Sequence, residues 1–257
     1  MSPGTTWHAD FRRRLLEGQE LVGTFFKTPS AMLAEVIGGT GLDVICIDAE
    51  HSPFDRAALD NCLLALRAAG MPALVRTPSA APEQILNALD CGAAGVVIPH
   101  VRSGREAAAV ARAARYGPGG RGYAGSTRAA GYGTRSLAAN LEEGGAQATV
   151  IAQIEDLEAL DAIDEIAAVD GIDALFIGMM DLTVALGETS PAAGSVVAAC
   201  DRILDAARRR GRRAGLFTPR LEEIPVWRRK GASLFLLGSD HSFMRQGVDT
   251  LLKSVRA

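Results

Sequence analysis

Val44-Ile45-Cys46-Ile47-Asp48-Ala49-Glu50-His51 is an unbroken apolar run that passes directly into a cluster of ionisable residues. A strand with one wet face alternates apolar and polar residues, whereas a strand covered on both faces does not. This stretch is of the second kind. Its polar groups all fall at the carboxyl end.

The same pattern recurs along the chain. Apolar runs occupy 21–26, 43–48, 72–76, 95–99, 149–154, 174–178, 213–217 and 233–237. Between them lie Ala/Leu/Arg-rich stretches suited to helices, at 31–39, 55–70, 82–91, 105–115, 157–169, 192–210, 221–230 and 243–255. Pro82 suits a first helical turn. Gly70, Gly92, Gly211 and Gly231 each follow a helical stretch, where a left-handed closing residue is wanted. Eight strand–helix repeats imply a parallel sheet, and eight strands close it into a (β/α)8 TIM barrel of class α/β. An open doubly wound sheet is the rival. The 257 residues suit a single barrel domain over 1–257.

Segment 116–145 breaks the rhythm. It is glycine-rich and too long for a plain connection. It reads either as a subunit contact or surface loop, or as a lid over the pocket. Its glycines do not follow the strand–turn–helix order of a dinucleotide site.

Composition excludes several classes. The net charge of −3 supplies no basic field for nucleic acid. No apolar run is long enough for a membrane span, and no signal core opens the chain. Cys46, Cys62, Cys91 and Cys200 form no CxxC pair, so they are expected to be reduced thiols of a cytoplasmic protein. Lysine occurs only at 27, 230 and 253. Lys27 is therefore the sole candidate for Schiff-base chemistry, a mechanism this sequence is not expected to use.

In a barrel, chemistry sits at the carboxyl ends of the strands. Asp48, Glu50, His51, Arg76, Gln153, Glu155 and Asp181 stand there. Glu155 and Asp181, on neighbouring strands, suit a hard cation such as Mg²⁺ or Mn²⁺. A 2-oxo acid could chelate that ion, which as a Lewis acid would stabilise the enolate. The plainer reading of both is structural ion pairs, and spacing does not decide. Arg76 can bind a substrate carboxylate in two-point fashion, or can pair with Asp48 or Glu50. His51 is a candidate proton carrier. Asp90 could orient it if the fold brings them together, and His100 is a second candidate.

Ile47-Asp48-Ala49-Glu50-His51, Val75-Arg76, Ala88-Leu89-Asp90-Cys91-Gly92-Ala93, Gly120-Arg121-Gly122, Gln153-Ile154-Glu155 and Phe176-Ile177-Gly178-Met179-Met180-Asp181-Leu182 occur in this order. Together they resemble the HpcH/HpaI family of class II, pyruvate-dependent aldolases, which includes 4-hydroxy-2-oxoheptanedioate and 2-keto-3-deoxy-sugar-acid aldolases. The resemblance implies metal ligation by Glu155 and Asp181, with Mg²⁺, Mn²⁺ or Co²⁺ as the ion. It implies contact of Arg76 with the oxo acid, proton transfer at the aldol hydroxyl by His51 paired with Asp90, and Gln153 lining the pocket. Backbone N–H groups after Gly178, at Met179, Met180 and Asp181, would hold the pyruvate carboxylate. The substrates implied are a small 2-oxo acid and an aldehyde. The assembly implied is a homo-oligomer, a hexameric trimer of dimers, with the C-terminal helix exchanged between subunits. The family's usual Gly-Pro-x-Asp-Leu is here Gly178-Met179-Met180-Asp181-Leu182. Loss of the proline frees φ in that loop, which bears on the carboxylate grip and substrate range rather than on the metal. The alternatives are a condensing enzyme or acyl-CoA lyase of the same superfamily, and a non-catalytic oxo-acid-binding barrel.

Overall fold

The computed structural model describes residues 7–256. Helix α1 (Trp7–Glu17) leads into β1 (Leu21–Phe26), then α2 (Ala31–Gly38), β2 (Val44–Asp48), α3 (Arg56–Ala68), β3 (Ala73–Arg76), α4 (Pro82–Asp90) and β4 (Gly95–Ile98). There follow α5 (Gly104–Ala113), α6 (Leu137–Gln147), β5 (Thr149–Ile154), α7 (Leu157–Asp161), α8 (Ile163–Ala168), β6 (Ala174–Ile177) and α9 (Met179–Ala185). The chain ends with α10 (Gly194–Arg209), β7 (Arg213–Phe217), α11 (Ile224–Arg229), β8 (Leu234–Ser239) and α12 (Asp240–Arg256). All eight strands pair in parallel in sequence order, and β8 returns to β1, so the barrel is closed. The open-sheet alternative is excluded.

Side chains on a strand alternate between faces. Val44, Cys46, Leu74, Val97, Ile151, Ala174, Phe176, Leu234 and Leu236 point inward and pack as one interior cluster. Ile45, Ile47, Val75, Val96, Val150, Leu175 and Phe235 belong to the outer cluster, with the helices. Phe11 and Leu15 of α1 join the interior cluster, so α1 closes the barrel's amino-terminal end. Cys46 is a core residue, and all four cysteines are buried free thiols.

The same parity carries chemistry to the mouth. If Cys46 points inward, so does Asp48; Leu74 implies Arg76, Ile151 implies Gln153, and Phe176 implies Gly178. Asp48 and Arg76 are direct partners in the β2–β3 register, as are Gln153 and Phe176 in β5–β6.

The expected helix ends at Gly70, Gly92, Gly211 and Gly231 have φ of 73°, 95°, 64° and 106°, the left-handed region. Four local expectations change. The stretch 157–169 is two helices interrupted at Ala162, and an extra helix, α9, follows β6 directly. Helix α1 precedes the first strand. The segment 116–145 includes most of α6, and its loop packs on the outer wall rather than over its own mouth. There the Ala129 N–H donates to the Asp90 carbonyl, and Arg128 pairs with Asp60. The lid reading within one chain is thereby replaced by a surface packing role. Among the described residues, no helix is long and apolar enough to cross a membrane.

Candidate active site

Asp48 is the electrostatic hub of the mouth. It is fully buried at the end of β2. Arg76 Nε donates to its Oδ1 at 3.0 Å, and Arg76 NH2 lies 2.8 Å from Oδ2. The His51 backbone N–H donates to Oδ1 at 3.1 Å, and Lys27 Nζ lies 3.1 Å from Oδ2. Burial alone would raise the Asp48 carboxyl, but the Arg76 bond and charge, the His51 N–H and Lys27 outweigh it and the net shift is downward. Lys27 is thus tied up in an ion pair with a buried carboxylate.

Arg76 has a second carboxylate, Glu50, whose Oε2 lies 3.3 Å from its Nε. Its guanidinium also stands over the Phe25 ring, 4.6 Å from the centroid. Both ion pairs weighed for Arg76 therefore exist. They fix the side chain, which still lines the mouth cavity.

Glu155 follows β5 and is only 3% exposed. The His100 backbone N–H donates to Oε1 at 2.9 Å, and Gln153 Nε2 donates to Oε2. A Cβ built on Gly178 would lie 2.6 Å from Glu155 Cβ and 2.7 Å from Oε2. Only glycine allows the strand-six end to pass this carboxylate.

Glu50, His100 and Glu155 each place one donor atom within 4.8 Å of the others. Burial raises the Glu50 carboxyl; Arg76 opposes that and the charge of Glu155 adds to it. Two crowded carboxylates beside an imidazole form a donor set that a divalent cation would relieve. The residues therefore fit a metal. Asp181 lies outside this trio. It is exposed in the first turn of α9 and lines the adjoining cavity with Gly178, Met179 and Met180.

That cavity measures about 570 Å³, the size of a small-molecule site. Arg76, Gln153 and His51 line it, as do Lys27, Phe25, Phe176, Phe217 and Arg220. His51 is 59% exposed, with Nε2 3.9 Å from Glu50 Oε2. Asp90 is not its orienting partner within the chain. It ends α4 on the outer wall and accepts a hydrogen bond from Arg121, because α4 carries it away from the mouth toward the turn that enters β4. Sequence reasoning named none of the β7–β8 contributors, Phe217, Thr218, Arg220, Ser239 and His241. Their signal was available, since Thr218-Pro219-Arg220 and Ser239-Asp240-His241 also end strands.

The chain is 34% identical to a hydroxypyruvate/pyruvate aldolase of Paraburkholderia phytofirmans, over 98% of this chain and 100% of that protein. It is 36% identical to a 4-hydroxy-2-oxovalerate aldolase of Rhodococcus jostii, over 94% and 93%. A crystal structure of an HpcH/HpaI aldolase/citrate lyase family protein from Burkholderia cenocepacia superposes with a TM-score of 0.92 at 32% identity, covering 97% of this chain and 100% of that one. With residues 21–246 matching the family as a whole, the chain belongs to the HpcH/HpaI aldolase/citrate lyase family.

Proposed function

We propose that this protein is a divalent-metal-dependent aldolase. It cleaves 4-hydroxy-2-oxo acids to pyruvate and an aldehyde, or runs the reverse addition. The observation that carries this reading is the convergence of Arg76, Gln153 and Glu155 at the carboxyl ends of β3 and β5, beside a cavity of small-molecule size. The aldolases among its relatives support it.

Glu155 and Asp181 are the proposed ligands of the ion, Mg²⁺, Mn²⁺ or Co²⁺. Asp181, in the first turn of α9 and on the cavity wall, would be the second ligand. When bound, the ion supplies Lewis acidity at the 2-oxo carbonyl. Arg76, held along one edge by Asp48, offers cationic donors to the oxo acid and to the negative charge that develops as the carbon–carbon bond breaks. Gln153 keeps the Glu155 carboxylate oriented. The first-turn N–H groups of α9, which have no intrahelical acceptor, take the pyruvate carboxylate. His51, at the open side of the cavity, accepts the proton of the aldol hydroxyl in cleavage.

We further propose a homo-oligomer in which α12 packs on a second copy, as in a trimer of dimers with that helix exchanged. Met244, Val248, Leu251, Leu252 and Val255 are exposed at helical spacing, Val255 at 83%.

The test is exchange of the pyruvate methyl protons with solvent. EDTA is expected to abolish it, and Mn²⁺ or Mg²⁺ to restore it; full exchange in metal-free protein refutes the mechanism. An aldehyde screen with pyruvate and metal then identifies the acceptor.

A further inference from the structure

Strands β3 and β7 stand four places apart in the closed ring of eight, so they face each other across the mouth. Arg76 ends β3, and Thr218-Pro219-Arg220 follows β7. Both arginines line the cavity, which therefore has a cation on each of two opposing walls. The aldolase reading employs Arg76 and leaves Arg220 without a task.

The turn that carries Arg220 is anchored. The Thr218 N–H donates to the Leu236 carbonyl at 3.0 Å, which ties the turn to β8. The Arg220 N–H donates to Thr218 Oγ1 at 3.1 Å, and that hydroxyl lies 3.2 Å from the Arg220 carbonyl. Arg220 Nε lies 2.8 Å from Glu223 Oε1, its one carboxylate neighbour among the described residues. That charge contact steadies the guanidinium, yet Nε is buried without a hydrogen-bond acceptor. The fork that would meet a second anion in two-point fashion is preorganised and open.

The rest of the wall narrows what that anion belongs to. Asp181 is the only acidic residue lining the cavity, and it is the proposed metal ligand. Lys27 is tied to Asp48, and His241 Nε2 to the Thr28 hydroxyl. Between the two arginines the wall is apolar, with the Phe25 and Phe217 rings 5.7 Å apart. The cavity of about 570 Å³ is far larger than a three-carbon acid. A heavily hydroxylated neutral chain would need hydrogen-bonding partners along its length, which phenyl rings do not supply.

We infer that Arg220 selects the second substrate: an aldehyde whose short carbon chain passes Phe25 and Phe217 and ends in an anionic group, a carboxylate or a phosphate, held by the Arg220 guanidinium. The inference rests on the aldolase reading for the pyruvate half and adds the chemistry of the acceptor. Arg220 acts on binding, away from the carbon–carbon bond.

The test compares the metal-loaded wild type with Arg220→Gln. Specificity, kcat/KM for addition of pyruvate, is measured for 4-oxobutanoate against pentanal and for glyceraldehyde 3-phosphate against glyceraldehyde. The wild type is expected to prefer the anionic member of one pair, which tells carboxylate from phosphate. Arg220→Gln should reduce that preference roughly ten- to hundredfold, mainly through KM, and Arg220→Lys should recover part of it because it keeps the charge without the fork. No preference in either pair, or a preference that survives Arg220→Gln, overturns the inference. Calorimetry adds a readout that needs no turnover. 2-Oxoadipate and 2-oxohexanoate lack the 4-hydroxyl, cannot be cleaved, and differ only in the terminal carboxylate. Tighter binding of 2-oxoadipate that Arg220→Gln removes supports Arg220 even if metal-dependent pyruvate exchange fails, an outcome that would remove the aldolase reading alone. Exchange without any preference for an anionic terminus would keep the aldolase reading and remove this one.

Discussion

Arg76 grips Asp48 side-on across neighbouring strands, Nε on Oδ1 at 3.0 Å and NH2 beside Oδ2 at 2.8 Å. One edge of the guanidinium is thereby fixed, and its position at the cavity wall follows from that. Arg76→Ala is expected to lower kcat/KM by the equivalent of roughly 3–4 kcal/mol, as for loss of a charged oxyanion donor. Steady-state cleavage of any accepted 4-hydroxy-2-oxo acid measures it. Near-normal turnover would confine Arg76 to structure.

Asp48 ties acid stability to the same pair. Its carboxyl titrates below the usual value despite burial, because Arg76, the His51 N–H and Lys27 favour the charged form. Its contribution is complete above the unfolded pKa of about 3.9 and is lost as pH falls through the lower folded value. Asp48→Asn is expected to cost about 3 kcal/mol near neutrality by stranding buried cations. The variant should also lose less stability than wild type below about pH 4. Urea titrations across that range check both; parallel curves would contradict the assignment.

Gly178 has no room for a methyl group. Its Cβ would press on Glu155 at 2.6 Å. Gly178→Ala should shift that carboxylate and weaken Mn²⁺ binding about tenfold or more, with a stability loss of roughly 1–3 kcal/mol from overpacking. Unchanged Mn²⁺ affinity in a folded variant would show that Glu155 does not hold the ion.

His51 separates two proton transfers. His51→Ala is expected to slow carbon–carbon cleavage by about 10²-fold or more while reducing pyruvate methyl exchange much less. Equal loss in both assays would contradict a role confined to the aldol hydroxyl.

The barrel was legible because its strands are short apolar runs covered on both faces, and seven of the eight begin and end within one residue of their expected bounds. The 233–237 run extends to Ser239, and the two helices split at Ala162 show no signal in composition. The mouth was legible in part: Arg76, Gln153 and Glu155 follow from strand parity. Asp90 does not meet His51 within one chain, because α4 carries it to Arg121. The contact of His100 with Glu155 depends on a backbone angle that composition does not reveal.

Helix α1, whose Phe11 and Leu15 fill the amino-terminal end of the barrel, makes the interior a blind-ended vessel. For the cleavage proposed above, traffic is single-file through one opening. With the proposed pyruvate half against Gln153 and Glu155, the aldehyde half would lie toward the opening and leave first, and a slow-leaving pyruvate would hold the vessel ready for a different acceptor.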